Sequence, residues 1–155
     1  MMPNHEIIRL KPEDYHKCSN IWDMEKHPER SKRFYDSLVS GNRLVWIYAI
    51  GGEFIGEAAL VVQNNDPDYT IPGRRIYFSH FVVKDGYRNQ GIGSALMDYV
   101  IGEAAKMGYS EISVGVDKKN TGAFRLYQRK GFDEIIFEGE DEAGPCYKLL
   151  KKEGQ

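Results

Sequence analysis

Residues 76 to 96 constrain the fold most, because they run as a strand, break at a glycine-bearing turn and restart as a helix. Ile76, Phe78, Val82 and Val83 suit a buried strand, and Ile92, Ala95, Leu96, Tyr99, Val100, Ala104 and Met107 recur at helical spacing. The turn between them, from Lys84 to Ser94, is therefore the entrance to a helix. Such an entrance holds backbone N–H groups with no intrahelical partner and a partial positive charge, which favours an anion. Gly91 and Gly93 would let the backbone close on a phosphate, where a side chain would hold it away. Arg88 and Gln90 add donors nearby. The spacing lacks the third glycine of a dinucleotide fingerprint and the Gly-Lys-Ser/Thr of an ATP-binding loop. By itself it also suits a corner whose glycines only permit tight packing.

A second constellation lies one helix and one strand downstream. Glu111-Ile112-Ser113-Val114-Gly115-Val116 alternates as a strand does, and Asn120-Thr121-Gly122-Ala123-Phe124-Arg125-Leu126-Tyr127-Gln128-Arg129-Lys130-Gly131-Phe132 follows it. Arg88-Asn89-Gln90-Gly91-Ile92-Gly93 resembles the Arg/Gln-x-x-Gly-x-Gly/Ala signature of the GNAT acetyltransferase superfamily. Asn120, Leu126, Tyr127, Gly131 and Phe132 resemble its second signature, in the right order and at the right separation.

The resemblance implies an α/β (α+β) fold in one domain over residues 1–155. Its sheet is mixed, mainly antiparallel and of six to seven strands, with helices on both faces, in the order β-α-α-β-β-β-α-β-α-β-β. The residue pattern alone supports α/β with a mixed sheet. Along the chain, Ile7 to Leu10 reads as a strand, and Pro12 starts a helix through Tyr15, Cys18, Ile21, Trp22 and Met24. Pro28 opens a second helix carrying Phe34, Leu38 and Val39 up to Gly41. Leu44–Ile50, Gly51-Gly52 and Glu53–Val62 read as a hairpin, and residues 63 to 74 as a polar loop. After the motif helix, which ends near Lys106, come a strand from Glu111, a helix from Thr121, a strand from Phe132 to Glu138 and one from Cys146 to Leu150.

The resemblance also implies acetyl-CoA as cofactor. Its pyrophosphate would sit on Arg88, Asn89, Gln90, Gly91, Ile92, Gly93 and Ser94. The backbone of Phe81, Val82 and Val83 would pair with its pantetheine amides, and Asn120 and Tyr127 would contact it. Acetyl transfer to an amine further needs a neutral amine and a proton for the leaving thiolate. Tyr127 is the expected proton donor, because a phenol stays protonated at neutral pH. Relatives that acetylate proteins carry a Glu five residues before Asn120, where this chain has Gly115. Glu57, on a strand face with Ile55, Ala59 and Val61, and His80, on the Ile76-Phe78-Val82 face, are the candidate bases. Burial would raise the pKa of the first and lower that of the second. The alternatives are that each is a hydrogen-bonded or edge residue, and that a water chain serves instead.

Bulk properties bound the rest. At 155 residues with 41% hydrophobic composition, the chain can bury one proper core. A net charge of −2 gives no global attraction to nucleic acid or to an anionic membrane. The first residues show neither the basic region nor the apolar stretch of a signal peptide, and Cys18 and Cys146 form no disulfide framework, so a cytoplasmic setting is expected. Cys146 is read as a packing residue. The four His show no metal-ligand spacing, so no metal is expected. The expected partner is the amine of a small molecule or peptide; a homodimer is compatible with the reading. Trp22, Glu25, Tyr35, Asp66, Asp68 and Tyr69 fall where the family varies for substrate and would suit a cationic amine. The competing reading is a GNAT-fold module that senses acyl-CoA without turnover, motivated by Gly115.

Overall fold

The computed structural model describes residues 4–153. Seven strands and three α-helices follow the order β1 (His5–Arg9), a 3-10 helix (Pro12–Asn20), α1 (Pro28–Ser40), β2 (Arg43–Ile50), β3 (Glu53–Val61), β4 (Arg75–Val83), α2 (Ile92–Lys106), β5 (Glu111–Asp117), α3 (Thr121–Arg129), β6 (Glu134–Asp141) and β7 (Gly144–Lys152). The strands lie in the order β1-β2-β3-β4-β5-β7-β6, a mixed sheet. Two compact units divide the residues. One holds the chain through Leu60 with His80–Val100, the other Val61–Ser79 with the chain from Ile101 on.

In the first unit β1 pairs antiparallel with β2, with Ile7 opposite Tyr48. Arg43 to Ala49 and Phe54 to Leu60 are buried without a break, so β2 and β3 are covered on both faces and show no alternation in exposure. The segment after Pro12 is shorter than expected and is a 3-10 helix. Its buried residues Tyr15 and Cys18, with buried Ile21 at its C-cap, recur every three positions, the period of that helix, and Asp14 N donates to Lys11 O three residues back. α1 ends as the sequence implied. Gly41 takes a left-handed φ of +86°, its N–H returns to Leu38 O, and Asn42 N donates to Ser37 O. Only Leu38 of that helix is buried; Val39, expected on the core face, is 57% exposed.

The buried stripe of α2 is Ile92, Leu96, Met97, Val100 and Ala104. Tyr99 and Met107 lie off it and are each 42% exposed, while Met97, absent from the expected set, is fully buried. α2 comes close to β3 at Gly56, where a Cβ would already touch Leu96 Cδ2 and Tyr48 Cβ at 3.4 Å.

In the second unit the first half of β4 runs parallel to β5, Arg75 opposite Glu111 and Phe78 opposite Val114, and the Arg75 Nε–Glu111 Oε1 pair at 2.9 Å marks its start. β7 lies between β5 and β6 and is antiparallel to both. Phe132, expected to open β6, sits before it with no exposed surface, its N–H on Tyr127 O; the strand starts at Glu134 because Phe132 is a core plug. β7 is longer than the expected Cys146–Leu150 at both ends, since pairing with β5 continues to Lys152.

Candidate functional site

The turn before α2 has the shape an anion needs. Gly91 adopts φ +83° and Asn89 φ +63°, and the first helical bond runs from Ala95 N to Gly91 O at 3.0 Å. The amides opening the helix have no carbonyl of their own helix to donate to. A Cβ at Gly91 would meet nothing within 4 Å, so glycine is required there by backbone conformation and leaves open space above the turn. Gly93 has a different reason from the one expected. A Cβ there would stand 3.0 Å from Phe81 Cζ and 3.5 Å from Val83 Cγ2, so its absence lets α2 pack on the end of β4. Arg88 and Gln90 brace the turn: Arg88 Nε donates to Val83 O at 3.1 Å, its Nη1 pairs with Asp85 Oδ1 at 2.7 Å, and Gln90 Nε2 donates to Gly86 O at 3.3 Å. Ile92 is 2% exposed and anchors the turn, and Phe81, Val82 and Val83 are half-buried.

Within the same unit the structure brings Glu57 and His80 together. His80 Nε2 stands 3.6 Å from Glu57 Oε2. Strand alternation does not predict this, because His80 has φ +52° and breaks the extended backbone in the middle of β4. Its ring is held edge-on by Trp22 at 4.8 Å and Phe34 at 5.0 Å. Glu57 is 1% exposed; its Oε1 accepts from Trp22 Nε1 at 3.2 Å, and the Cys18 thiol also bonds its carboxylate. Arg43, itself buried, lies over the Phe34 ring at 3.6 Å.

Burial dominates the electrostatics here. It pushes Glu57 up to about 7, although Arg43 and the donors Cys18 and Trp22 pull the other way. It pushes His80 down to about 3, helped by the positive charges of Arg43 and Arg30. Glu57 is therefore the group poised to take a proton near neutrality, and His80 is a neutral imidazole there. Burial drives the Cys18 thiol far above its ordinary range, which makes it inert as a nucleophile. Trp22 also lines a cleft of about 470 Å³ with Asn20, Glu25, Lys84 and Asp85, so one residue touches both the cleft and the buried carboxylate. Tyr35, with Tyr15 and Glu25, lines an open groove of about 610 Å³. The roles of Cys18 and Arg43 carried no sequence signal, being set by partners far along the chain.

In the second unit Tyr127 is 8% exposed, edge-on to Phe132 at 5.8 Å and to Phe78 at 6.5 Å. Burial raises its phenol to about 12, with a further push from Tyr77, so it carries its proton throughout the physiological range. Asn120 caps α3, its Oδ1 accepting from Ala123 N at 3.0 Å. Cys146 is buried in β7 with its thiol pushed up by desolvation, as a packing residue would be. Asp66 and Asp68, expected to draw a cationic substrate, are instead held by Lys148, whose Nζ lies 2.7 Å and 3.2 Å from them. The loop they fix places Tyr69 on Tyr77, stacked at 4.2 Å, with its hydroxyl where a side chain on residue 115 would have to go.

Residues 5–132 match the model of the family described as Acetyltransferase (GNAT) family. The chain belongs to that family. An uncharacterized N-acetyltransferase of Mycobacterium tuberculosis is 30% identical over 102 residues, which cover 66% of this chain and 60% of that protein, so the match spans less than two thirds of the relative. Among solved structures, aminoglycoside 6'-acetyltransferase type Ii superposes with a TM-score of 0.76 at 17% identity, over 95% of this chain and 96% of that one. A GNAT family acetyltransferase from Elizabethkingia anophelis with acetyl-CoA bound gives 0.67 at 18% identity, over 97% and 99%. These likenesses confirm the GNAT fold with its mixed seven-stranded sheet. Among the described residues no helix is long and apolar enough to cross a membrane, and no three His, Cys, Asp or Glu are grouped to hold a metal ion.

Proposed function

We propose that this GNAT protein is a cytoplasmic acetyl-CoA-dependent N-acetyltransferase that acylates a primary amine of a small molecule or peptide by direct attack in a ternary complex. The observation that carries the reading is the left-handed turn at Gly91, open above and set at the start of α2, which fits a diphosphate. Acetyl-CoA, when bound, supplies an activated acyl carbon. The residues of the chain do the rest. The amides from Asn89 to Ser94 hold the diphosphate, with Arg88 and Gln90 keeping the turn in shape. The backbone of Phe81, Val82 and Val83 pairs with the pantetheine amides, and Asn120 and Tyr127 contact the same arm. Glu57 takes the amine proton through a water, because its carboxylate is buried and its pKa lies near 7. His80, a neutral imidazole at that pH, stands 3.6 Å from the second carboxylate oxygen and adds no charge beside it. Tyr127 gives its proton to the leaving sulfur.

The test is thiol release from acetyl-CoA against a panel of primary amines. Turnover with any amine supports the transfer reading. Tight acetyl-CoA binding with no turnover across the panel replaces it with an acyl-CoA sensor.

A further inference from the structure

The cleft of about 470 Å³ in the first unit is lined by Trp22 but not by Glu57, which is 1% exposed and meets the same indole from behind. The ring is fixed by its neighbours. His80 lies edge-on to it at 4.8 Å and Phe34 at 6.2 Å, and the His27 ring is tilted against it at 6.3 Å. Its backbone is fixed as well, since Trp22 N donates to Cys18 O at 3.3 Å and Met24 N to Trp22 O at 3.0 Å. Two residues earlier, Asn20 Nδ2 donates to Phe54 O at 2.8 Å, which ties this segment to β3 three residues before Glu57. A ring held in this way keeps one donor on one oxygen.

The two oxygens of Glu57 are therefore unequal. Oε1 accepts the indole N–H at 3.2 Å, whereas His80 Nε2 stands 3.6 Å from Oε2, outside hydrogen-bond distance. An indole nitrogen can only donate, so it opposes a proton on Oε1. The Cys18 thiol, which also bonds the carboxylate, can turn from donor to weak acceptor. The titratable groups facing this carboxylate come from several elements. The 3-10 helix brings Tyr15 and Cys18, both kept neutral by burial, and β2 brings the positive charge of Arg43. From β4 comes His80, neutral near pH 7, on which Arg30 of α1 also acts.

We propose that Trp22 is the positioning residue of the base: its N–H holds the carboxylate by Oε1 at the back of the cleft, so that Oε2 takes the proton of the acceptor ammonium through a water. That step leaves a neutral amine and a neutral carboxylic acid. The inference rests on the reading of Glu57 as the base.

The indole proton–nitrogen NMR resonance of Trp22, assigned through its own backbone amide in the full chain, is followed from about pH 5 to about pH 9. The pH dependence of acetyl transfer is measured in parallel for wild type, Trp22→Phe, Glu57→Gln and the double variant. The indole should titrate with a midpoint of about 7 and lose that titration in Glu57→Gln. Trp22→Phe keeps a ring beside His80 and Phe34 but removes the donor that favours the ionised carboxylate. It should move the acid limb of kcat up by about one to two pH units, a loss of about tenfold or more at pH 6. Added to Glu57→Gln, the same substitution should move no limb. A residue that only packs would lower the plateau and leave the limb in place.

An indole that does not titrate, or that titrates equally in Glu57→Gln, overturns the proposal even where Trp22→Phe does not fold. A limb unmoved in a folded Trp22→Phe overturns it with the base reading intact. An acid limb that survives Glu57→Gln, beside an indole that does lose its titration there, overturns the base reading and leaves the contact as a structural bond.

Discussion

The indole of Trp22 donates to the carboxylate of Glu57 at 3.2 Å, across 35 residues of sequence. Bonds of this kind favour the ionised carboxylate, and here they are outweighed by burial, which leaves Glu57 near 7. A base with that pKa is half-ionised at neutrality. The rate of acetyl transfer should therefore rise as pH passes through about 7 and level off above it. Glu57→Gln should remove that limb and lower turnover by about 10² to 10⁴-fold, with acetyl-CoA affinity unchanged. A pH–rate profile that keeps its acid limb in the variant would rule Glu57 out, and the same profile in His80→Asn would then test His80.

The same carboxylate affects stability. Its folded pKa lies above the unfolded value near 4.5, so between roughly pH 4.5 and 7 the native state binds the extra proton. Stability from this group is full below that window and is lost as pH rises through 7. His80 runs the other way: its folded pKa is depressed, so its contribution is present above about 6.5 and lost as pH falls toward 3. Denaturant unfolding at pH 5 and pH 8 should separate the two. Glu57→Gln should gain about 2 to 3 kcal/mol relative to wild type on going from pH 5 to pH 8.

Gly91→Val should leave the fold in place and remove acetyl-CoA binding. A left-handed φ costs a β-branched residue about 1 to 2 kcal/mol, less than a domain's stability, while the side chain enters the open space above the turn. Calorimetry on a variant shown to be folded by circular dichroism decides this, and wild-type affinity would show that the turn is only a corner.

How much of this was legible in the sequence depended on how local the cause was. The Gly91 turn, the Gly41 cap and the two family signatures are written within a few residues each, and the structure places them as read. The 3-10 helix was also local, in the three-residue recurrence of Tyr15, Cys18 and Ile21, but that period was taken for an α-helix. Gly93 was assigned to phosphate approach when its true neighbour is Phe81, twelve residues earlier. Asp66 and Asp68 looked like free charge because their partner Lys148 lies some 80 residues on. His80 reached Glu57 through a positive φ that no residue type announces. Partnership across the sheet is a tertiary property, and period-two reasoning stops where the backbone leaves the extended region.

Tyr127→Phe should lower kcat by about 10²-fold while leaving acetyl-CoA affinity within twofold, since the ring stays packed on Phe132 and Phe78 and only the donor is lost. Single-turnover measurement isolates the chemical step. An unchanged rate there would make the residue a packing aromatic.

Lys148→Met should destabilise the protein by about 1 to 2 kcal/mol, because two carboxylates lose their counter-charge yet keep part of their hydration. The larger effect should be on the loop: faster amide exchange at Tyr69 and Thr70 than at Ile76 would show that the clamp orders this segment. Equal protection in variant and wild type would mean that the stacking of Tyr69 on Tyr77 holds it alone.

The position of β7 between β5 and β6 bears on how the chain is made as well as on how it stands. During synthesis both flanking strands leave the ribosome before the one that joins them. Until Gly144–Lys152 emerges, β6 has no partner and β5 shows a bare edge beside β4. Completion of this half therefore waits on the segment translated after both of its neighbours. A pause or a truncation just upstream of Gly144 would leave two hungry edges exposed to other nascent chains.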